Sequence, residues 1–343
     1  MNSQASDLSG GAAAAAKLPP PWQRALANVI RDPRQLLARL QLDPALLPAA
    51  ERAAKLFPLR VPESFVARMR PGDPTDPLLR QVLPLDAEFA AAPGFLDDPV
   101  GDGDALVAGG VLHKYHGRAL LVTTGACAIH CRYCFRRHFP YAAANASADG
   151  WQAALDYVAS SPAISEVILS GGDPLTLSDR RLASLTESLA AIPHVQRLRV
   201  HSRLPVVLPE RVDDGLLAWL TGSRLQPVVV IHANHGNEID DQVVAAVTRL
   251  RERRVPVLNQ AVLMRGVNDQ VAALADLSER LFAADVMPYY LHLLDRVRGA
   301  AHFEVPEAEA VALHAALTAR LPGYLVPRLV REEPGAAAKT RVP

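Results

Sequence analysis

The sequence has few of the features that mark several common classes of protein. It contains only three cysteines in 343 residues, so any disulfide would leave one thiol unpaired. Its 36 basic and 36 acidic residues cancel, which argues against a nucleic-acid partner. No apolar run approaches the ~18 residues that span a bilayer, and the first residues lack the basic and apolar parts of a signal peptide. We therefore expect no nucleic acid, no membrane and a cytoplasmic location.

The three cysteines lie together in one short segment. Cys127, Cys131 and Cys134 form a C-x3-C-x2-C run directly after an apolar, β-branched stretch. Three thiolates on one loop can hold three irons of a [4Fe-4S] cluster and leave the fourth iron open to a small molecule. A loop at the C-terminal end of a strand also lies where α/β barrels build active sites. The spacing, with Tyr133 before the third cysteine, resembles the radical S-adenosylmethionine (SAM) signature.

A structural zinc site is the main alternative for these cysteines. Such a site needs four ligands, and His130 or His138 could supply the fourth. Gaps of three and two residues are nevertheless unusual for a zinc knuckle. Cysteines that only pack in a core would scatter along the chain, so the run favours the cluster.

The composition divides the chain into four regions. We expect a disordered N-terminus at 1–20, an N-terminal helical layer at 21–104, a barrel domain at 105–300, and a C-terminal helix with a lysine-bearing segment at 301–343. The helical layer is rich in proline and predicts short helices at 22–29, 34–40 and 48–57. The C-terminal region predicts a helix at 306–321 and then an extended segment at 323–330.

The barrel region alternates apolar runs with amphipathic stretches. Strands are predicted at 118–124, 166–170, 195–201, 227–232, 255–263 and 286–293. Helices are predicted at 150–160, 178–191, 213–220, 239–253 and 270–284. Strands spaced by helices indicate a parallel sheet with right-handed crossovers. Six units are too few for a closed eight-fold barrel, so the predicted fold class is α/β, as an open, partial (β/α)6 barrel.

Polar residues follow nearly every predicted strand. They are Ser170-Gly-Gly-Asp-Pro-Leu175, His201-Ser-Arg203, His232-Ala-Asn-His235, Asn259-Gln260 and Asp295. Each one alone could be a helix cap, a turn or a satisfied polar group of the core. A polar cap on almost every strand is better explained by a cavity that binds a ligand.

Lys339 follows a stretch of small residues, Gly335 to Ala338. A lysine near a C-terminus is usually solvated surface. Small neighbours would let this segment enter a cavity, which is the placement that a lysine needs to bond pyridoxal phosphate (PLP).

Taken together, these motifs resemble the lysine 2,3-aminomutase family of radical SAM, PLP-dependent enzymes. Within it, they most resemble the branch that makes (R)-β-lysine for modification of elongation factor P. The resemblance runs from about residue 59 to 339 through the segments that begin at Gly72, Leu112, Cys131, Ser170, Asn234, Asn259, Pro288 and Lys339. The family's fold is a partial (β/α)6 barrel of the radical SAM type.

The resemblance implies a role for single positions. For the cofactors it implies that Cys127, Cys131 and Cys134 hold the cluster, that Gly171, Gly172, Asp173, His232 and Gln260 contact SAM, that Lys339 bonds PLP, and that Lys114, Tyr115 and Arg118 bind its phosphate. For the substrate it implies that Arg136 binds the α-carboxylate and that Asp295 and Glu332 hold the ε-ammonium.

Two departures from the family pattern affect these roles. Position 332 usually carries aspartate, so Glu332 changes the reach of one carboxylate. Family members that act on free lysine have extra zinc-binding cysteines in a longer C-terminal region, whereas no cysteine follows Cys134 here. The sequence therefore predicts no such zinc.

The implied reaction moves the amino group of L-lysine from C2 to C3, with the cluster, SAM and PLP as cofactors. A flavodoxin or ferredoxin would donate the electron, and the product would pass to an elongation factor P ligase. A free-lysine or glutamate 2,3-aminomutase of the same family is the first alternative. Glutamate is disfavoured because Asp295 and Glu332 would repel its side chain. A non-enzymatic zinc module is the second alternative.

Overall fold

The computed structural model describes residues 19–142, 144 and 151–343. The disorder expected at 1–20 therefore falls almost wholly outside the described residues, and the helix predicted at 150–160 begins outside them. Within them, six short helices precede the sheet: α1 (Pro21–Ala27), α2 (Pro33–Arg39), α3 (Leu47–Leu56), α4 (Glu63–Val66), α5 (Pro77–Arg80) and α6 (Asp102–Ala105). The three helices predicted from sequence are α1, α2 and α3. The division of the chain into four regions stays a prediction.

Prolines and aspartates explain why these helices are short and where they start. Proline lies in the first turn of α1, α2, α3 and α5, where its missing N–H leaves no hydrogen bond unmade. The side chains of Asp32 and Asp76 accept hydrogen bonds from the first backbone N–H groups of α2 and α5. Local sequence thus accounts for the start of these four helices.

One sheet of nine strands, in chain order, forms the centre of the described structure. Its strands are β1 (Val111–Tyr115), β2 (Arg118–Thr124), β3 (Glu166–Gly171), β4 (Arg197–Ser202), β5 (Gln226–Ile231), β6 (Val257–Val262), β7 (Met287–His292), β8 (Arg328–Arg331) and β9 (Thr340–Arg341). The helices after β2 are α7 (Gln152–Ala159), α8 (Asp179–Ala190), α9 (Leu204–Val207), α10 (Asp214–Thr221), α11 (Asp241–Glu252), α12 (Val271–Ala283) and α13 (Glu307–Arg320).

The pairing of the strands makes this sheet an open barrel. Strands β2 to β8 run parallel, and β1 and β9 add to the two ends as antiparallel strands. The six predicted strands are β2 to β7, so the prediction of an α/β partial barrel is confirmed. Strand β8 lies in the segment predicted only as extended. No helix in the described ranges combines the length and apolar character that a bilayer crossing requires.

The N-terminal helices pack against the cysteine segment that follows β2. The backbone N–H of His130 donates to Arg60 O at 2.9 Å, and that of Arg132 donates to Gln81 O at 2.9 Å. The side chains of Arg132 and Arg137 both donate to the carboxylate of Glu88. All three of these side chains are fully buried. The cysteine segment is therefore fixed by polar contacts with a layer that is distant in sequence.

Replacing Glu88 should test how much this layer stabilises the protein. Glu88→Gln leaves two buried guanidinium groups with less counter-charge, and the loss of one partner in a buried ion pair costs about 3–5 kcal/mol. Glu51→Gln is a matched control, because the Glu51–Arg34 pair is exposed and such pairs contribute about 0–1 kcal/mol. Urea unfolding of the cofactor-free protein, followed by circular dichroism, measures both. If the free energy of unfolding fell by the same small amount in both variants, this account would be contradicted.

Candidate active site

A cavity of about 530 Å³ opens at the carboxyl ends of the parallel strands. Every site residue predicted from sequence lines it: Lys114, Tyr115, Arg118, Cys127, Cys131, Cys134, Arg136, Gly171, Gly172, Asp173, His232, Gln260, Asp295, Glu332 and Lys339. These residues are spread over more than two hundred positions of the chain. The fold thus brings them together, while the ligand assigned to each stays a prediction.

The three cysteine thiols lie on one side of this cavity. Burial, and then the neighbouring thiols, raise the pKa of Cys127 well above its ordinary value. The same two causes raise the pKa of Cys134 to about 11. Thiols such as Cys127 and Cys134, whose pKa is raised, are suited to a cationic group that would stabilise them as thiolates.

The arrangement of these sulfurs suits a cluster better than a single ion. Among the residues that the structure describes, no group of three or more His, Cys, Asp or Glu side chains is placed to hold one metal ion. A [4Fe-4S] cluster binds each thiolate through a separate iron, so its ligands need not converge on a point. The residues present therefore fit a cluster.

The Gly171–Asp173 segment is joined tightly to the cysteine loop. The N–H groups of Gly172 and Asp173 donate to Thr124 O at 2.6 Å and Ala126 O at 2.7 Å. A Cβ atom at Gly172 would lie 2.4 Å from Ala126 O, so a side chain does not fit there. The close approach of two backbones explains this glycine. It also places the backbone of both loops against the cavity.

The carboxylate of Asp173 is used within the protein. It accepts hydrogen bonds from the N–H groups of Leu175, Arg203 and Leu204 and from the Ser202 hydroxyl, over 2.7–3.2 Å. Burial raises the pKa of Asp173 to about 6 although these four bonds favour the ionised form. The side chain orders the ends of β3 and β4, and a contact between it and SAM stays a prediction.

Charges alternate along a row of side chains that line the cavity. Arg136 Nε lies 2.7 Å from Asp102, whose other oxygen lies 2.6 Å from Lys114 Nζ. Lys114 Nζ in turn lies 3.4 Å from Glu332, which also accepts a hydrogen bond from Lys339. Neighbouring charges of opposite sign offset the cost of burying each one.

The alternating charges set the ionisation of the two acids in this row. Burial alone would raise the pKa of Asp102, but Arg136 and Lys114 hold it below its ordinary value. Burial also opposes ionisation of Glu332, but Lys339 lowers its pKa to about 2. Sequence reasoning missed Asp102, because it lies on the short helix α6 and no motif marks it.

Asp295 differs from the other acids of the cavity. Its side chain makes no hydrogen bond or ion pair within the described part of the chain, although Lys339 and Glu332 are near enough to affect it. Burial raises the pKa of Asp295 to about 7, and the ammonium of Lys339 only partly opposes this. A buried carboxyl that lacks a partner and faces a cavity is suited to receive a cationic ligand.

Tyr115 and Arg118 supply donors at the end of the cavity near Lys114. The Tyr115 hydroxyl is buried and makes no hydrogen bond of normal geometry within the described residues, although Glu332 is near enough to help burial raise its pKa. The guanidinium of Arg118 lies 4.7 Å from the centre of the Tyr115 ring and has no ion-pair partner within the described residues. Free donors beside a lysine suit a phosphate group, so these residues fit the phosphate of PLP.

Three histidines at strand ends also line the cavity: His201, His232 and His292. The Nε2 atom of each is buried and has no hydrogen-bond partner among the residues that the structure describes. Burial lowers the pKa of all three, that of His232 to about 4, so their rings are neutral at pH 7. Sequence reasoning assigned a role only to His232. The position of His292 at the end of β7 is the signal that could have found it.

Comparison with known proteins agrees with this geometry. A sequence model of the Radical SAM superfamily matches residues 121–277, the stretch that carries the three cysteines. The class that the fold and cavity define is therefore a radical SAM enzyme. Such enzymes contain a [4Fe-4S] cluster and use SAM.

Curated relatives identify the family. The L-lysine 2,3-aminomutase of Escherichia coli is 51% identical over 320 residues, which are 93% of each chain. That of Haemophilus influenzae is 47% identical over 93% of this chain and 94% of its own. That of Clostridium subterminale is 33% identical over 94% of this chain and 77% of its own. The chain belongs to the lysine 2,3-aminomutase family, a family of isomerases, which confirms the resemblance inferred from its motifs.

The pKa of Asp295 predicts how stability changes with pH. The folded protein retains a proton on Asp295 that the unfolded chain releases near pH 4, so this carboxyl lowers stability as pH rises from about 4 to 7. Asp295→Asn should remove the effect. The substitution should raise the free energy of unfolding more at pH 8 than at pH 5, and the difference between the two increases should be on the order of 2 kcal/mol. Urea unfolding of the cofactor-free protein at both pH values measures it.

The matched control for this experiment is Asp241→Asn, at an exposed position in the first turn of α11. It should change stability about equally at pH 5 and pH 8. If the free energy of unfolding changed between pH 5 and pH 8 in the same way in the Asp295 and Asp241 variants, Asp295 would not be a buried acid.

Proposed function

We propose that this protein is an L-lysine 2,3-aminomutase that depends on PLP as well as on the cluster and SAM. It converts L-α-lysine to (R)-β-lysine, which is then used to modify elongation factor P. The observation that carries the proposal is that one cavity is lined by the three cysteines, by Lys339 and Arg136, and by Asp295, an acid without a partner among the described residues. This arrangement matches the two ends of a lysine substrate and the amine that PLP requires.

The cofactors supply the difficult chemistry when bound: the reduced cluster and SAM provide a carbon radical, and PLP provides a π-system beside the migrating nitrogen. The protein's own residues bind, orient and shield the substrate. Cys127, Cys131 and Cys134 would hold the cluster, while Lys339 would bond PLP and Lys114, Tyr115 and Arg118 would bind its phosphate. The backbone at Gly171 and Gly172, with His232 and Gln260, would contact SAM.

Arg136 is suited to bind the α-carboxylate of the substrate. The residue is 8% exposed, and its guanidinium is oriented by Asp102 at 2.7 Å and by the Ser170 hydroxyl at 3.2 Å. A guanidinium keeps its charge at any working pH and can bind a carboxylate through two parallel hydrogen bonds. Asp102 therefore fixes the direction in which Arg136 offers its remaining donors.

Asp295 and Glu332 are suited to bind the distant ammonium. Asp295 has no partner of its own, and a nearby ammonium would lower its pKa and keep it ionised. Glu332 is paired with Lys339 in this structure. If Lys339 held PLP, it would no longer offer a free ammonium to Glu332, whose carboxylate could then accept a hydrogen bond from a substrate ammonium. The longer reach of glutamate at this position is compatible with both partners.

Several observations favour lysine over the alternatives. Two carboxylates in the cavity would repel the side chain of glutamate. Among the described residues no group of three or more His, Cys, Asp or Glu side chains is placed to hold one metal ion, so no observation favours a zinc module. The motifs quoted from the sequence, and the lack of any cysteine after Cys134, support the elongation factor P branch over the free-lysine branch.

The remaining parts of the proposal follow from the chemistry. A cluster that must be reduced requires a one-electron donor, such as a flavodoxin or ferredoxin. An oxygen-sensitive cluster suits the reducing cytoplasm. A ligase that attaches β-lysine to elongation factor P would consume the product.

Replacing Lys339 tests the PLP assignment. Lys339→Ala should retain the absorbance of the cluster and lose the absorbance of bound PLP, because the amine that bonds the cofactor is gone. Lys55→Ala, at an exposed position of α3, should keep both. Borohydride reduction of the parent followed by peptide mapping should find PLP on Lys339. Label on Lys114 would refute the assignment.

A substrate panel tests the proposed reaction. The parent should convert lysine far better than ornithine, norleucine or glutamate. Asp295→Asn leaves the buried ammonium undercompensated, a loss of about 3–5 kcal/mol. Turnover of lysine should therefore fall by roughly two factors of ten or more, with cluster and PLP content unchanged. Asp241→Asn should have no effect. Turnover of norleucine or glutamate at the rate of lysine would contradict the proposed substrate.

A further inference from the structure

Arg203, directly after β4, points one end of its guanidinium at a cysteine of the cluster loop. Its Nη1 atom lies 2.7 Å from the sulfur of Cys131. The residue is 5% exposed. Across the part of the chain that the structure describes, the sulfurs of Cys127 and Cys134 receive no side-chain hydrogen bond. The contact thus distinguishes one of the three thiols.

Several groups hold Arg203 in this orientation. Its Nη2 atom donates to Gln81 Oε1 at 2.6 Å and to Glu238 Oε2 at 3.0 Å. Its guanidinium carbon lies 5.3 Å and 5.7 Å from the ring centres of Phe65 and Tyr133. These partners come from the N-terminal layer, the cluster loop and the segment after β5, so the cation cannot turn away from the sulfur without losing contacts on several sides.

The acid of this network is itself fully engaged. Glu238 is completely buried, and its Oε1 atom accepts hydrogen bonds from Gln81 Nε2 at 3.0 Å and from the N–H of Asn234 at 2.9 Å. It therefore fixes the position of Arg203 and compensates part of its charge. The other end of the guanidinium donates to the sulfur of Cys131.

A cation that donates to a cluster sulfur affects the electron affinity of the cluster. Addition of one electron to a [4Fe-4S] cluster makes its net charge more negative, and a buried guanidinium stabilises that form more than the oxidised one. Hydrogen bonds to the sulfurs act in the same direction and are among the factors that set cluster potentials. Arg203 should therefore make the cluster easier to reduce.

We propose that Arg203 is a positioning residue that raises the reduction potential of the cluster through its hydrogen bond to Cys131. The step concerned is the transfer of one electron from an external donor to the oxidised cluster, in which no bond is formed or broken. The inference rests on the assignment of the three thiolates to a cluster. Within the polar segment His201-Ser202-Arg203 that follows the strand, the proposal gives Arg203 a specific role.

The test is a redox titration of the anaerobically reconstituted protein, with the reduced cluster measured by electron paramagnetic resonance. At a fixed potential, Arg203→Gln should lower the ratio of reduced to oxidised cluster about tenfold, which is ~59 mV for one electron. Arg203→Lys keeps the charge and should lower the ratio less. Glu238→Gln removes the compensating acid and should raise the ratio.

Arg68→Gln is the matched control. Arg68 also lies over the Phe65 ring, at 5.2 Å, and donates to the backbone O of Glu238, but it contacts no cysteine. Its loss should destabilise the fold and leave the potential close to that of the parent. Equal potentials in Arg203→Gln and Arg68→Gln would overturn the proposal. If Arg203→Gln does not assemble a cluster, an unchanged potential in Glu238→Gln would overturn it. A parent that binds no iron would refute the cluster assignment itself.

Discussion

The cost of burying charge is the constraint on which this structure depends. An ionised group that leaves water loses several kcal/mol of solvation unless opposite charges or hydrogen bonds compensate it. The row from Arg136 through Asp102, Lys114 and Glu332 to Lys339 meets this condition by alternating sign. Asp295 lacks such compensation, and burial raises its pKa to about 7. The uncompensated carboxyl of Asp295 is therefore the position at which we expect a cationic group of a ligand to bind.

The same constraint ties the N-terminal helices to the chemistry of the barrel. Glu88 and Gln81 come from the layer that precedes the sheet, and they bind Arg132 and Arg203 of the cluster side. Buried cations near the cysteines thus receive part of their hydrogen bonds from an acid and an amide of the N-terminal layer. The N-terminal layer is part of the active site for this reason, although none of its first five helices carries a predicted site residue.

Hydrophobic periodicity was sufficient to predict the central strands of the barrel, but it did not predict the strands at the two edges of the sheet. Each of strands β2 to β7 buries at least every second residue or a run of residues and carries an apolar pattern, so each was found within a few residues. Strands β1 and β9 are short and exist only because a longer neighbour offers its edge. Asp102 was missed because its role depends on cations distant in sequence. Lys339 was found through its small neighbours and the family resemblance, since periodicity carries no information about a loop that enters a cavity.

The central claim is that one cavity moves an amino group between adjacent carbons of lysine. The most direct measurement is nuclear magnetic resonance of the product formed from lysine labelled with ¹⁵N at the α-amino group, incubated anaerobically with the reconstituted protein, SAM, PLP and a reductant. The account predicts β-lysine that carries the label on C3. Unchanged lysine recovered from protein that holds both cluster and PLP would contradict it.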